Sequence, residues 1–435
     1  MMMGRKFLFT FIIAFISVSV MLFALQQNSE QLKVVWGKQW GTEATELVTG
    51  IALDGQDNIY IAGVTKGNLF EQNQGKLDIF IIKLDSEGNV LWGKQLGSEE
   101  EEWCDMAVDG EGNVYLVTVT EGNWFGKNFG NFYKDIVLLK LSSSGEILWS
   151  KRIGTEEDEV YDGIAIESNH FYIAGGTTGS LFGDYKKGGW GGYEGFLAKF
   201  DLNGNLVWGK QFSEEDYFGA ISVDSQSNIY VAGLTIMKDE ANDKIATLLA
   251  KFNPNGTLIW KQKYVFPIIT DKDEKEMINS MRLDGNGNIY ASGEITVYVD
   301  ENKLVSIPDA FVGKYSCDNG QRIWSKRFRS EGEKEIEEAF LDVTVDEQGY
   351  VYVVGYTEGS LFGNHLGGID DVILAKFDGQ GNMLWGKQWG SEKGETGAAI
   401  DVDGQGNIYV AGATDGDLFG KNAGKTDIFI VKFKQ

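Results

Sequence analysis

From residue 34 onward, short apolar runs alternate with clusters of Gly, Asn and Asp. In the first unit the runs are Leu47–Leu53, Ile59–Thr65, Asp78–Leu84 and Val90–Leu96. Short runs rich in β-branched and aromatic residues and bounded by turn residues predict β-strands. No helical period appears after residue 30. Each unit is therefore expected to be an antiparallel sheet of four strands, which we name a to d in chain order.

The unit recurs along the chain at long, regular intervals. A tryptophan, a lysine and a tyrosine each return in seven repeats, with 52 to 64 residues between successive tryptophans. These residues are Trp36, Trp92, Trp149, Trp208, Trp260, Trp324 and Trp385; Lys83, Lys140, Lys199, Lys251, Lys314, Lys376 and Lys432; and Tyr60, Tyr115, Tyr172, Tyr230, Tyr290, Tyr352 and Tyr409. Repeats of this kind predict propeller blades. We expect an all-β fold, a seven-bladed β-propeller with four antiparallel strands per blade.

The two ends of the repeat region each carry part of one blade. Val34–Trp40 has the sequence of a strand d with no strand c before it, and Asp427–Lys434 that of a strand c with no strand d after it. Pairing of the two would close the ring and cover exposed strand edges. The sequence therefore predicts that residues 31–435 form one propeller, closed by the N-terminal strand pairing with the C-terminal blade.

Residues 1–30 differ from the repeats. A basic start precedes Phe7–Leu25, nineteen residues without a charge, which is the pattern of an export signal. The run is also long enough to span a bilayer, and Leu22 is a poor residue for the −3 position of a cleavage site after Ala24. We expect a signal peptide or an N-terminal membrane anchor. Either places the propeller outside the cytoplasm, secreted, periplasmic or at the cell surface.

Composition narrows the range of partners and chemistry. The chain has 39 Lys and Arg against 64 Asp and Glu, a net charge of −25, which disfavours nucleic acid and anionic membrane surfaces. The two cysteines, Cys104 and Cys317, fall in blades that are not neighbours, so no disulfide is expected. Metal-binding, cofactor-binding and catalytic motifs are absent from the sequence. We expect no cofactor, no metal and no enzymatic activity.

The seventh repeat illustrates the consensus. Ile400–Thr414 reads IDVDGQGNIYVAGAT, and Asp427–Phe433 supplies its strand c. This pattern, which covers residues 34–435, resembles the bacterial SBBP-type β-propeller repeat family. The resemblance implies an exported or surface propeller, and it implies no shared activity and no catalytic residues to carry over.

Several polar residues recur from blade to blade. An acid stands near the start of each strand a, at Glu46, Glu101, Glu159, Asp216, Glu276, Glu338 and Glu395. Because strand a is innermost in a propeller, these acids would ring one mouth of the channel. They would either bind a cation or accept hydrogen bonds from backbone amides in the connection between strands d and a. Repetition in every blade favours the second, structural role.

Two further positions recur across the b–c strand pair. A threonine ends strand b in six blades, and an aspartate begins strand c in five. They are Thr65, Thr120, Thr177, Thr235, Thr357 and Thr414, and Asp78, Asp135, Asp309, Asp371 and Asp427. Opposed across the pair, Thr and Asp are expected to hydrogen-bond. The Asp-x-x-Gly-Asn sequences lack the glycine and glutamate of a calcium loop and are interpreted as turns.

The b–c loops of five blades share a phenylalanine five residues after the threonine. These are Phe70, Phe125, Phe182, Phe362 and Phe419. We favour packing between blades for these rings. The alternative is a multivalent lectin whose rings stack on sugars.

Blades 4 to 6 depart from the consensus on one face. Their b–c loops contain Met237–Glu240 and Tyr298–Ser306, and the d–a connections into blades 5 and 6 are longer. A ligand touches only some blades, so its contacts should differ from the consensus. Aromatic and arginine side chains are the usual anchors of interfaces. The predicted partner-binding residues are Asp239, Tyr264, Phe266, Lys272, Arg327 and Arg329.

The sequence thus favours an exported, monomeric, non-catalytic binding or scaffold propeller for an unknown protein or carbohydrate. The alternatives are a carbohydrate-active lyase or hydrolase and the lectin. A lectin requires exposed rings in all five phenylalanine loops. An enzyme requires one deep pocket with converging carboxylates.

Overall fold

A computed structural model describes residues 32–130, 133–185, 192–212, 216–237, 244–264, 274–300, 303–330 and 336–435. In these residues the chain forms seven sheets of four antiparallel strands. The innermost strands of successive blades contact one another all the way round the ring. The predicted seven-bladed β-propeller is confirmed. In the same ranges, no helix has the length and apolar character needed to cross a bilayer.

The strand boundaries follow the repeats. Blades 1 to 3 consist of β2 (Glu46–Leu53), β3 (Ile59–Thr65), β4 (Asp78–Leu84) and β5 (Val90–Leu96); β6 (Trp103–Val108), β7 (Val114–Thr120), β8 (Asp135–Leu141) and β9 (Ile147–Ile153); and β10 (Glu159–Glu167), β11 (His170–Thr177), β12 (Glu194–Asp201) and β13 (Leu206–Phe212). Blades 4 and 5 consist of β14 (Asp216–Val223), β15 (Ile229–Met237), β16 (Lys244–Phe252) and β17 (Leu258–Tyr264); and β18 (Glu274–Leu283), β19 (Asn288–Asp300), β20 (Lys303–Ser316) and β21 (Arg322–Phe328). Blades 6 and 7 consist of β22 (Glu338–Val345), β23 (Val351–Thr357), β24 (Asp371–Phe377) and β25 (Met383–Trp389); and β26 (Glu395–Val402), β27 (Ile408–Thr414) and β28 (Asp427–Lys434) with β1 (Lys33–Trp40).

The ring closes between the two ends of the repeat region. Strand β1 pairs antiparallel with β28, from Lys33 opposite Lys434 to Trp40 opposite Ile428. The last sheet has the order β1-β28-β27-β26, so the N-terminal strand is strand d of blade 7. The predicted closure is confirmed. It covers the edge of β28, which would otherwise offer unpaired backbone groups to another chain.

The recurring tryptophan joins each blade to the next. Its indole N–H donates to a carbonyl of the next c–d turn, as in the 3.0 Å bond from Trp92 Nε1 to Ser143 O. That turn needs a glycine for two reasons: Gly145 has a φ of +83°, and a Cβ there would lie 3.1 Å from the Trp92 ring. In the described residues Trp385 Nε1 has no hydrogen-bond partner, because blade 7 is built from strands at opposite ends of the ring region and has no c–d turn.

The recurring lysine and tyrosine act at the same junction. The Lys83 ammonium lies 4.8 Å from the centre of the Tyr60 ring and donates to Ser143 O in the next blade. The Tyr60 hydroxyl donates to Asp54 Oδ2 and Gly112 O. The lysine, tyrosine and tryptophan of a repeat therefore all stabilise the contact between neighbouring blades.

The Asp-x-x-Gly-Asn sequences are turns, as predicted. Asp85 Oδ1 accepts hydrogen bonds from the backbone N–H of Glu87 and Asn89, and Oδ2 accepts one from Asn89 Nδ2. The carboxylate is thus occupied by the turn that it organises.

The divergent b–c region of blade 5 is not a loop. Tyr298–Ser306 was expected to be loop, but β19 and β20 continue as a hairpin in which Tyr298 pairs with Ser306 and Asp300 with Lys303. As a result, Asp309 lies within β20 and does not begin it. In blade 4, strands b and c are likewise extended, with Met237 opposite Lys244. Residues 238–240 of the predicted loop lie outside the described part of the chain.

Candidate functional site: the central channel

The recurring acids are bound by the framework, as the structural interpretation predicted. Glu159 accepts hydrogen bonds from Thr155 N at 2.8 Å, Thr155 Oγ1 at 2.7 Å and Thr177 Oγ1 at 2.8 Å. Burial raises the pKa of Glu159 to about 7 against the effect of these hydrogen bonds. In blades 1, 2, 3, 6 and 7 the acid ties the d–a connection to the end of strand b in this way. In blades 4 and 5 the acid has other partners: Asp216 binds Thr235 and Lys261, and Glu276 binds Tyr315 and Arg322.

In blade 2 the prediction chose the wrong residue. Glu101 is exposed, and Glu102 is the buried acid that accepts from Ser98 N and Thr120 Oγ1. The reason is a missing β-bulge. Strand a carries a register shift in the other six blades, such as the one between Val48 and Gly50, whereas β6 pairs with β7 without a shift. Without the extra residue, the acid stands one position closer to the turn.

The expected hydrogen bond between Thr and Asp across strands b and c is also wrong. Thr65 lies opposite Asp78, but its hydroxyl donates to Glu46 Oε1 at 2.8 Å. Asp78 Oδ2 accepts instead from Gln95 Nε2 at 2.9 Å. The glutamate of strand a therefore binds the threonine, and a strand d side chain binds the aspartate.

Arginine replaces this strand d glutamine in two blades. Arg152 Nε lies 2.6 Å from Asp135 Oδ2, and Arg327 Nε bonds Asp309 Oδ2 in the same way. Arg327, one of the predicted partner-binding residues, thus occupies a framework position of the repeat.

The other predicted partner residues are distributed as follows. Tyr264 ends β17, where its ring lies 5.4 Å from that of Tyr315 and its hydroxyl donates to Gly320 O. The Arg329 side chain is 46% exposed, and its Nε lies 3.7 Å from Asp309 Oδ1, so it meets Arg327 at this carboxylate. The remaining three, Asp239, Phe266 and Lys272, lie outside the described residues. The partner surface on blades 4 to 6 stays a prediction.

The loop phenylalanines divide into two groups. In four blades the ring covers a glycine that follows the recurring tryptophan: a Cβ on Gly93 would lie 2.2 Å from the Phe70 ring. The four pairs are Gly37 with Phe419, Gly93 with Phe70, Gly209 with Phe182, and Gly386 with Phe362. In blade 2, Ser150 stands in place of this glycine, Trp124 packs inward, and Phe125 is 40% exposed. The lectin interpretation requires five exposed rings and is not supported.

The central channel contains polar residues that the repeat does not explain. Strand a lines it, and where most blades place a small residue such as Gly50 or Ala220, blades 2 and 6 place Asp105 and Asp342. A cavity of about 320 Å³ lies here. Its lining includes Asp105, Tyr161, Asp162, Asn279, Arg282 and Asp342. The volume falls at the lower end of the range of small-molecule sites.

Three channel aspartates connect neighbouring blades. Each accepts the free N–H of the next innermost strand: Ile164 N bonds Asp105 at 3.3 Å, Ile400 N bonds Asp342 at 2.9 Å and Leu53 N bonds Asp401 at 3.1 Å. Each of these contacts gives a hydrogen-bond partner to one backbone N–H at the inner edge of a sheet.

One arginine influences these carboxylates from a distance. Burial raises the pKa of Asp105 and of Asp401 to about 6, and the positive charge of Arg282 opposes both shifts. Arg282 lines the cavity and is exposed within it.

Asp162 differs from the three clamping aspartates. It is the bulged residue of β10, between Tyr161 and Gly163, and bulges often redirect a side chain towards a site. Its Oδ1 accepts from the Tyr217 hydroxyl at 2.6 Å. Its Oδ2 is buried and has no hydrogen-bond partner among the described residues. Burial raises the pKa of Asp162 to about 7.

The sequence analysis did not predict this channel. Its candidates were residues shared by the blades and residues in the divergent loops of blades 4 to 6, whereas Asp105, Asp162, Arg282 and Asp342 are departures within strand a. The available signal was an alignment of the strand a segments, which shows charged residues where the other blades have small ones.

The comparisons with known proteins fit this architecture. Two segments, residues 35–71 and 385–420, match the family model described as SBBP, a beta-propeller repeat. The chain carries SBBP repeats. Each matched segment runs from a strand d through strands a and b of the next blade to the loop phenylalanine. Each matched segment thus contains the recurring tryptophan and the glycine that follows it, Trp36 and Gly37 in the first and Trp385 and Gly386 in the second.

Other proteins are similar to part of this sequence or to its fold. The regulatory protein FlaEY of Caulobacter vibrioides is 23% identical over 173 residues, 38% of this chain, and the match spans 18% of FlaEY's length. The WD40 domain of Pan2 from Neurospora crassa is similar in structure with a TM-score of 0.50 and 13% identity, covering 92% of this chain and 96% of that domain. The structure of an ulvanlyase, a polysaccharide lyase of family PL25, has a TM-score of 0.48 and 12% identity. The match covers 89% of this chain and 95% of the lyase chain. At these identities the likeness to solved structures concerns the fold.

Proposed function

We propose that this SBBP protein is a non-catalytic binding propeller that acts outside the cytoplasm and holds a small ligand in its central channel. The observation that carries the proposal is Asp162, which lines the channel cavity and whose buried Oδ2 has no hydrogen-bond partner among the described residues. A buried carboxylate oxygen without a donor is costly. A ligand that supplies the donor would recover that free energy.

The contrast with the framework supports a binding role for the channel. Recurring acids such as Glu46 and Glu159 each accept three hydrogen bonds from the framework, with at least one to each carboxylate oxygen, so both of their oxygens already have donors. The charged residues that do not recur converge instead on one cavity. Unused capacity for hydrogen bonding inside a concave site is the usual sign of a ligand position.

An enzyme remains the second candidate because of one observation. Asp105 and Asp162 line the same cavity, and burial raises the pKa of both, to about 6 and about 7. Carboxylates with raised pKa values are also found among general acids. Three of the four channel aspartates, however, clamp the next blade through backbone hydrogen bonds, which favours a structural use of those three.

The location outside the cytoplasm is proposed from the uncharged segment Phe7–Leu25 behind a basic start. Fractionation of cells that express the full chain tests it. Recovery outside the cytoplasm supports the proposal. Recovery in the cytoplasm, without membrane association, contradicts it.

The binding proposal is tested by incubating the purified protein with a pool of small metabolites and analysing it by native mass spectrometry. We expect one or more compounds to be retained unchanged. A channel-blocking variant, Ala398→Trp, should lose them while keeping its melting temperature, because Ala398 lines the cavity. Equal retention by this variant would place the site elsewhere. Chemical conversion of a pool member, abolished by Asp162→Asn, would favour the enzyme.

A further inference from the structure

We infer that the channel of this propeller binds a small organic cation bearing N–H donors, such as a primary amine, with Asp162 as its anchor. This inference rests on the proposed binding function and names the chemical class of the ligand. It draws on three features of the cavity: an unsatisfied acceptor, the balance of charge and the spacing of the carboxylates.

The unsatisfied acceptor is specific to blade 3. Other buried carboxylate oxygens without a partner, such as Asp78 Oδ1 and Asp135 Oδ1, belong to the repeated framework position that begins strand c. Repetition there marks a feature of the scaffold. Asp162 occupies a bulge position that holds Thr49 in blade 1 and Asn279 in blade 5. No residue in the described part of the chain donates to its Oδ2, and a buried acceptor of this kind calls for a donor.

The balance of charge selects a cation. Asp105, Asp162 and Asp342 line the cavity, and Arg282 is the one basic residue in that lining. The positive charge of Arg282 opposes the burial-driven rise in the pKa of Asp105 and of Asp401, so this charge already stabilises those two carboxylates. For Asp162 the influence among the described residues that opposes burial is the hydrogen bond from the Tyr217 hydroxyl, which carries no charge. A positively charged donor beside Asp162 forms a charge-assisted hydrogen bond, which is stronger than a neutral one.

The spacing of the carboxylates favours an organic cation over a metal ion. Across the described ranges, no three Asp, Glu, His or Cys side chains are placed to hold one metal ion. The three aspartates that line the cavity come from the neighbouring blades 2 and 3 and from blade 6, across the ring from them. A metal needs several oxygen ligands at short range, whereas an ammonium group needs one carboxylate and tolerates the apolar side chains of Ile51, Ile164 and Met281 around its carbon chain.

The test is a calorimetric titration of the purified protein with 1,4-diaminobutane at pH 8 and low ionic strength. We expect saturable binding with one amine per chain. Asp162→Asn should weaken it at least about tenfold, and Glu392→Gln, which removes one exposed carboxylate of the same charge, should leave it unchanged within about twofold. The fully N-methylated analogue should also bind at least about tenfold more weakly, because it keeps the charge and lacks N–H donors.

Each other outcome overturns the inference in a different way. Equal binding by wild type, Asp162→Asn and the methylated analogue would indicate general attraction to an acidic protein. Tight binding of Ca²⁺ with no binding of the amine would assign the channel to a metal ion. Binding of succinate that depends on Arg282 would assign it to an anion. If metabolites are retained in the channel but no amine binds, the amine is wrong and the proposed binding function stands; if neither is retained, both are wrong.

Discussion

At the scale of single residues, buried carboxylates have two different roles in this propeller: some hold the framework together, and one is available to a ligand. Glu159 accepts three hydrogen bonds from backbone and hydroxyl groups of the framework. Asp162, three residues further on, has one buried oxygen with no donor among the described residues. The difference arises from the bulge in β10, which separates a framework position from a position aimed at the channel.

Replacing Asp162 should make the protein more stable at alkaline pH. Its pKa is raised from 3.8 to about 7 in the folded state, so the folded state binds a proton that the unfolded state releases between these values. The free energy of unfolding therefore falls as the pH rises through this window. Asp162→Asn keeps the acceptor for Tyr217 and avoids the buried charge. We expect a gain of about 2 kcal/mol at pH 8 and a smaller gain at pH 5.5.

Urea denaturation at both pH values measures this gain, with Glu392→Gln as the control. A variant that is less stable than the wild type at pH 8 would show that the Asp162 carboxylate supports the fold and is not held for a ligand.

Replacing Glu159 should have the opposite effect on stability. Glu159→Ala leaves Thr155 N, Thr155 Oγ1 and Thr177 Oγ1 without their acceptor, so we expect a loss of about 2 kcal/mol in the free energy of unfolding. The neighbouring exposed residue Glu157 provides the control, and Glu157→Ala should change stability little. Urea unfolding curves for the two variants measure both changes in the free energy of unfolding. Loss of amine binding without loss of stability would contradict the structural role.

At the scale of elements, the contact between strand d and the b–c loop of the same blade depends on glycine. Gly93 lies in β5 under the Phe70 ring, and a Cβ there would come within 2.2 Å of it. Gly93→Ala should therefore displace the ring and lower the free energy of unfolding by about 2 kcal/mol. Gly110→Ala is the matched control, because a Cβ at Gly110 would meet nothing within 4 Å. Equal stability of the two variants would show that the ring is free to move.

Most of the strands could be predicted from the sequence because each blade solves the same packing problem. β3, β4 and β5 begin and end where the pattern places them, and β2 begins one residue earlier than expected, at Glu46. Errors arose where a blade breaks the pattern. The missing bulge of β6 moved the acid from Glu101 to Glu102, and the extended β19–β20 hairpin replaced an expected loop. Bulges and strand extensions depend on contacts across the sheet, which the linear pattern does not display.

The channel was harder to predict than the strands for a related reason. Asp105, Asp162, Arg282 and Asp342 come from four different blades and lie far apart in the sequence. They share a site only because the ring closes, so a search for repeated residues passes over them.

At the scale of the whole molecule, ring closure holds the channel together. β1 supplies the outer strand of blade 7, and blade 7 supplies Asp401, which binds blade 1 through Leu53 N. Deleting residues 31–41 should expose the edge of β28. We expect a lower melting temperature and aggregation, measured by calorimetry and light scattering. A truncated protein that stays monomeric and melts at the wild-type temperature would contradict closure by this strand.

The central claim is that Asp162 binds a cationic hydrogen-bond donor in the channel. It is tested most directly by following the Asp162 carboxyl carbon by NMR during a pH titration, with the resonance assigned by its loss in Asp162→Asn. Without ligand the account predicts a pKa of about 7 for Asp162. With saturating 1,4-diaminobutane it predicts a fall of at least about one unit, because a bound ammonium group favours the ionised carboxylate. A pKa that is the same with and without the amine would contradict the account.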